Sequence, residues 1–136
     1  ALIEPHLQTR YPPGEGPFPV VLLFHGCGGV RQIMDDYARA AVKAGVAAVI
    51  VDSHTPRGIA YEAALAQVCT GRILWGRERA ADVHAALAVV RDDPRLDAGS
   101  AQAQRPTSPR TPRRPRTPVK PARKGPLKRQ PSACRR

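Results

Sequence analysis

Pro19-Val20-Val21-Leu22-Leu23-Phe24-His25-Gly26-Cys27-Gly28-Gly29 is the stretch whose reading decides the fold. Its first six residues are apolar and rich in β-branched side chains, with no polar residue alternating among them. A strand with one wet face alternates, whereas a strand covered on both faces reads as a continuous apolar run, as parallel sheets require. The run ends at a histidine followed by three glycines in four residues, a composition that turns sharply and leaves the backbone exposed.

Downstream the apolar period changes. Val30, Ile33, Met34, Tyr37, Ala38, Ala41 and Val42 form one helical stripe, with Arg31, Asp35, Asp36, Arg39 and Lys43 on the other side. Gly45 stands where a helix needs a left-handed C′ residue. A second buried strand, Val46 to Val51, runs into Asp52-Ser53-His54. Strand, helix and strand in this order make a βαβ unit.

Upstream, residues 1–18 are broken by Pro5, Pro12, Pro13, Gly14, Gly16 and Pro17, which leaves room for a loop and at most an edge strand. Beyond the βαβ unit, Thr55-Pro56-Arg57-Gly58 reads as a turn, and Ile59 to Val68 as a short helix with Ala63, Leu65 and Val68 inward. Residues 77–93 form a further helix with Ala80, Val83, Leu87 and Val90 on its inner face and Glu78, Asp82, Arg91 and Asp92 turned away. Pro94 ends it, because the residue before proline is pushed out of the helical region. Met34 and Trp75 read as packing residues. After Asp97 the chain has no apolar run where a third buried strand is expected.

Charge divides at the same place. The 136 residues carry a formal +11. Residues 1–99 hold 10 basic and 11 acidic side chains, while the last 37 hold 12 basic and none acidic. Proline follows, with 7 in the first part and 8 in the last 37 residues. A segment this polar and proline-rich buries too little apolar surface to offset its ordering entropy. The expected organisation is therefore an N-terminal loop and edge segment over 1–18, an α/β domain over 19–98, and a disordered basic tail over 99–136.

Two chemistries use a glycine-rich turn between a buried strand and a helix. One is dinucleotide binding, with backbone N–H groups at a pyrophosphate and an acid, here Asp52, on the ribose. The G-x-G-x-x-G fingerprint begun at Gly26 finds Gly28 but then Arg31 in place of the third small residue. The other is oxyanion binding, where the same N–H groups meet the negative charge of a tetrahedral intermediate. A plain tight turn is the alternative without chemistry.

Over residues 18–98 the sequence resembles the dienelactone hydrolase family of α/β-hydrolases. The matching stretches are PVVLLFHGCGG (19–29), YARAAVKAGVAAVIVDS (37–53), Thr55-Pro56-Arg57-Gly58, and RAADVHAALAVVRDDPRLD (79–97), in family order. The resemblance implies a truncated α/β-hydrolase sheet and hydrolysis of an ester or lactone, a small-molecule substrate, without a cofactor. It assigns the oxyanion hole to the N–H groups of Cys27 and Gly28, with Gly26 and Gly29 shaping the loop and His25 supporting it. The family's nucleophile elbow, later acid and later histidine are not in this sequence: Ser100 lies between Ala98 and Gln102, no Asp or Glu follows Asp97, and no His follows His84. The fragment is therefore expected to be inactive alone. Without a further strand, the 20–24 strand is expected on an open edge, with marginal stability and a tendency to aggregate.

The remaining candidates are weaker. Asp52, Ser53 and His54 are adjacent and point in different directions, so they do not converge on one proton path. Cys27 is a conceivable nucleophile at a helix N-terminus. His25, Cys27, His54, Cys69 and His84 lack ligand spacing for a metal. Cys27, Cys69 and Cys134 suggest neither a disulfide framework nor a zinc knuckle, and leave the compartment open. No run is long enough to span a membrane and no leader is visible, so a cytoplasmic location is the default expectation.

The tail offers a competing class. Residues 105–136 repeat Ser/Thr-Pro pairs beside cations, loosely similar to linker-histone tails, and would contact polyanions such as nucleic acid without reading sequence. Its composition is also that of an out-of-frame reading of a GC-rich gene, the origin favoured here over an evolved basic arm.

Overall fold

The computed structural model describes residues 2–104; of the disordered tail expected over 99–136, residues 105–136 lie outside the described residues. Strand β1 spans Leu7–Arg10, β2 Phe18–Phe24, β3 Ala47–Val51 and β4 Leu96–Gln104, in one sheet of order β1-β3-β2-β4. Helix α1 (Gln32–Lys43) joins β2 to β3, and α3 (Gly76–Asp92) leads from the β3 side back across to β4. Between them lie a 3-10 turn at Thr55–Arg57, a one-turn helix α2 (Tyr61–Ala63) and a π-helical turn over Ala64–Val68. The sheet is mixed. β2 runs parallel to both β3 and β4, while β1 is antiparallel to β3, so the expected all-parallel sheet gains an antiparallel edge.

The pleat explains the layers. Successive strand side chains point to opposite faces, so Val20, Leu22 and Phe24 join Ala47, Val49 and Val51 on one face, where Ala86 and Val90 of α3 cover them. Leu23, Ala48 and Ile50 face the other way, onto Met34 and Ala38 of α1. A helix on each side is what makes both strands continuously apolar. Ile3 is buried in the α3-side cluster, so the N-terminal segment contributes to the core as well as supplying an edge strand.

Gly45 ends α1 as expected, at φ +77°, with its N–H on the Val42 carbonyl. Ile33 and Tyr37 belong to the helical stripe yet remain exposed, because the burial is confined to Met34 and Ala38 where the helix meets the sheet. Gly16 is a second position that only glycine fills. Its φ is +88°, and a Cβ there would lie 2.8 Å from the Arg95 carbonyl oxygen, which accepts the Phe18 N–H.

Five expectations need correction. Residues 99–104 are not part of a disordered tail but complete β4, which pairs with β2 from Phe18↔Leu96 to Leu23↔Gln104. The pairing jumps from Pro19↔Asp97 to Val21↔Gln102, so residues 98–101 bulge from the ladder; Gly99 N–H and Ser100 Oγ bond back to Asp97 there. β2 therefore lies inside the sheet, and the open-edge argument for marginal stability does not apply to it. The segment after Thr55 also differs: Ala64 is the buried residue, while Leu65 is exposed. On α3, Asp82, Ala86 and Val90 are the buried positions and Ala80 is exposed. Trp75 is half exposed, with the Arg77 guanidinium over its ring, and is not a core residue.

No helix among the described residues is long and apolar enough to cross a membrane. Leu22 is fully buried between the sheet and α3. Leu22→Ala should lower unfolding free energy by about 3 kcal/mol, read as a reduced urea midpoint with an unchanged slope.

Candidate functional site

The loop after β2 is anchored by a buried ring. His25 has no exposed surface. Its Nδ1 donates to the Gly26 carbonyl at 2.7 Å, and its Nε2 accepts the Ser53 N–H at 3.0 Å. Those two bonds fix the neutral tautomer. Burial lowers the His25 pKa to about 4; the Gly26 carbonyl opposes that shift, and the nearby Arg79 cation adds to it. The ring thus ties the glycine turn to the end of β3 and has neither nitrogen free for proton transfer.

Two guanidinium groups hold the surroundings. Arg79 of α3 donates to the His25 carbonyl. Arg57 donates to the Ser53 carbonyl at 2.8 Å and forms a two-pronged pair with Asp82, at 2.8 and 3.1 Å. The Asp82 side chain is only 4% exposed. Both arginines thereby dock α3 against the carboxyl ends of β2 and β3. The sequence places Asp82 away from the inner face because a lone acid belongs in water. Arg57, 25 residues earlier, makes its burial possible.

Cys27 and Cys69 form a disulfide, whereas the number and spacing of the three cysteines suggested no disulfide framework. Their separation of 42 residues matches no local motif, and the pairing arises because the π-helical turn packs against the glycine loop. Cys27 consequently carries no free thiol, and the idea of it as a nucleophile falls. Cys134 lies outside the described residues.

The loop faces two cavities. One, of about 410 Å³, is lined by His25, Gly26 and Cys27 on the strand side and by Val68, Leu74 and Val83, among others, opposite. Its walls are mainly apolar. Leu74 adopts φ +55°, an unfavourable conformation for a non-glycine residue, where it turns its buried side chain into this wall. The second cavity, of about 500 Å³, is lined by Gly28, Gly29, Arg31, Asp52, His54 and Tyr61, among others. Within the loop the Gly29 N–H reaches the Gly26 carbonyl at 3.3 Å. Among the described residues the N–H groups of Cys27 and Gly28 meet no acceptor.

Asp52, the acid that a ribose would need, is engaged locally. Its Oδ1 accepts the N–H groups of His54 and Thr55 at 2.8 and 3.1 Å, and its Oδ2 accepts the Thr55 hydroxyl. Burial raises its pKa, but the Thr55 and His54 hydrogen bonds outweigh that and hold it below the ordinary carboxylate value. His54 packs edge-on against His25, with ring centroids 4.4 Å apart, and Ser53 is fully buried. Asp52, Ser53 and His54 make no hydrogen-bonded chain among their side chains. His84 is exposed on α3. Among the described residues no group of three or more His, Cys, Asp or Glu could hold a metal ion.

Two outcomes follow from these contacts. Asp82→Ala leaves Arg57 without its counter-charge beside buried carbonyls and should cost about 3 kcal/mol of stability in a urea titration. His25 binds a proton far less readily folded than unfolded, so its contribution is whole above pH 6.5 and is lost as pH falls through about 4. Unfolding free energy should drop by about 2–3 kcal/mol over that interval. His25→Gln should flatten that part of the profile.

No protein-family model matches this chain, and comparison with curated proteins finds no match either.

Proposed function

We propose that the loop from His25 to Gly29 is the oxyanion-binding element of an ester or lactone hydrolase site of the dienelactone hydrolase type. The observation that supports this reading is the pair of unclaimed N–H groups on Cys27 and Gly28, in a loop held rigid by the His25 ring and bordering an apolar cavity. Donors that are already fixed cost no reorganisation when charge develops on a carbonyl oxygen, and a surrounding of low polarity strengthens them. The cavity would take the acyl part of the substrate against Leu74, Val68 and Val83.

The remaining machinery is not supplied by the described residues. The Cys27 sulfur is bonded to Cys69, and both nitrogens of His25 are occupied. Among the described residues no nucleophile stands beside the loop with a base to activate it. Oxyanion donors without nucleophile and base retain a minor part of such a site's rate enhancement. This chain by itself is therefore proposed to bind the acyl group without turning it over.

A second reading rests on the sequence of the tail. Twelve cations and no acid among residues 105–136 suit non-specific contact with a polyanion, with affinity falling steeply as salt rises. Deleting 105–136 should abolish duplex-DNA binding at low salt while leaving the α/β domain folded.

For the principal reading, benzoate serves as a probe carrying an oxyanion on a small apolar body. Titration of the ¹⁵N-labelled chain should shift the amide resonances of Cys27, Gly28, Leu74 and Val83 together. Val83→Phe, which fills the cavity, should remove the effect. p-Nitrophenyl acetate should show no saturable hydrolysis. Saturable turnover would contradict the proposed inactivity, and unmoved Cys27 and Gly28 signals would contradict the oxyanion role.

A further inference from the structure

The second cavity is not used by the reading above. It opens on the far side of the glycine loop, at the N-terminus of α1, a helix of 12 residues. Arg31 occupies the N-cap position and its side chain makes no cap hydrogen bond. The first-turn N–H groups of Gln32 and Ile33 have no acceptor within a helix, because acceptors would have to come from residues preceding it. Backbone N–H groups and the positive end of the helix dipole therefore converge on the cavity without a protein acceptor.

An independent observation lies on the opposite wall. His54 is only 5% exposed, yet neither of its ring nitrogens has a hydrogen-bond partner among the described residues. Nε2 is sealed in protein, while Nδ1 faces Gly29, where a Cβ would come within 3.2 Å of it. A buried polar ring without a partner is costly, and here its accessible edge lines the cavity. Gly29, at φ +80°, leaves open the space between ring and loop. Arg31 is held beside the same opening by a hydrogen bond to Tyr61 Oη at 3.2 Å, with its guanidinium 5.4 Å from that ring's centroid. Asp52 also lines the cavity, but its carboxylate is saturated by the three donors described above.

We propose that this cavity binds a phosphoryl group, gripped by the α1 first-turn N–H groups, the Arg31 guanidinium and His54 Nδ1–H. The volume of about 500 Å³ exceeds that of a free phosphate and leaves room for a small organic portion against Tyr61. This site is separate from the oxyanion cavity, and either can be present without the other.

The test uses the full ¹⁵N-labelled chain, titrated with inorganic phosphate and, in parallel, ribose 5-phosphate. Saturable shifts at Gly29, Gln32 and Ile33 are expected with both, while Leu74 and Val83 stay still. Tighter binding of the sugar phosphate would assign the site to phosphate monoesters, and equal binding would assign it to the free anion. Arg31→Met, a change at an exposed side chain, should weaken binding by about two- to fivefold. His54→Phe should weaken it similarly, and if that variant fails to fold, Arg31→Met alone decides. Shifts confined to residues 105–136, or affinity unchanged in the folded variants, would overturn the proposal. Benzoate shifts at Leu74 and Val83 report separately on the oxyanion cavity.

Discussion

A neutral imidazole fully enclosed in protein, giving one hydrogen bond to its own loop and taking another from the next strand, is the constraint on which the candidate site depends. His25 sits where β2 leaves the sheet. Through Gly26 it sets the turn, and through Ser53 it holds that turn at the end of β3. The bonds require Nδ1 protonated and Nε2 bare, and burial maintains that state by opposing a second proton. A charged His25 could not accept the Ser53 N–H, so protonation and the tie between the strands exclude one another.

The surrounding charges follow from the same geometry. Strand ends present carbonyls that no ladder partner uses, and two of them, on His25 and Ser53, are met by Arg79 and Arg57. Arg57 in turn brings Asp82 into the interface beneath α3. The helix is thus placed by apolar contact at Ala86 and Val90 and oriented by guanidinium groups near its other end. The apolar cavity lies at this guanidinium-bound end of α3, against Gly76, Arg79, Ala80 and Val83. The sheet order places it at the carboxyl end of β2, near where the connections from β2 and to β4 depart to opposite faces, the usual position of a ligand crevice in open α/β sheets.

Much of this frame was legible from residue patterns. β2 and β3 were readable because runs covered on both faces contain no polar residue, and α1 because its period and Gly45 agree. β4 was not readable: Ala98, Gly99, Ser100, Ala101 and Gln102 carry no apolar signal, and the segment is a strand because β2 offers an unpaired ladder beside it. Asp82 misled for a different reason, since an acid on a helix is assigned to water until its partner is known. The disulfide was hidden by its 42-residue span. At the site, the glycine turn and its place after the strand were visible, but the burial of His54 and the engagement of Asp52 depend on how Thr55 and the following turn fold back.

The central claim is that the Cys27 and Gly28 N–H groups stand ready, without internal acceptors, in a loop that is otherwise firmly held. Amide hydrogen exchange of the full chain, resolved by residue, measures this most directly. Ser53 N–H, bonded to the buried His25 ring, should be strongly protected, while Cys27 and Gly28 exchange orders of magnitude faster at the same pH. Protection of Cys27 and Gly28 equal to that of Ser53 would mean that those donors are already spent, and would contradict the account.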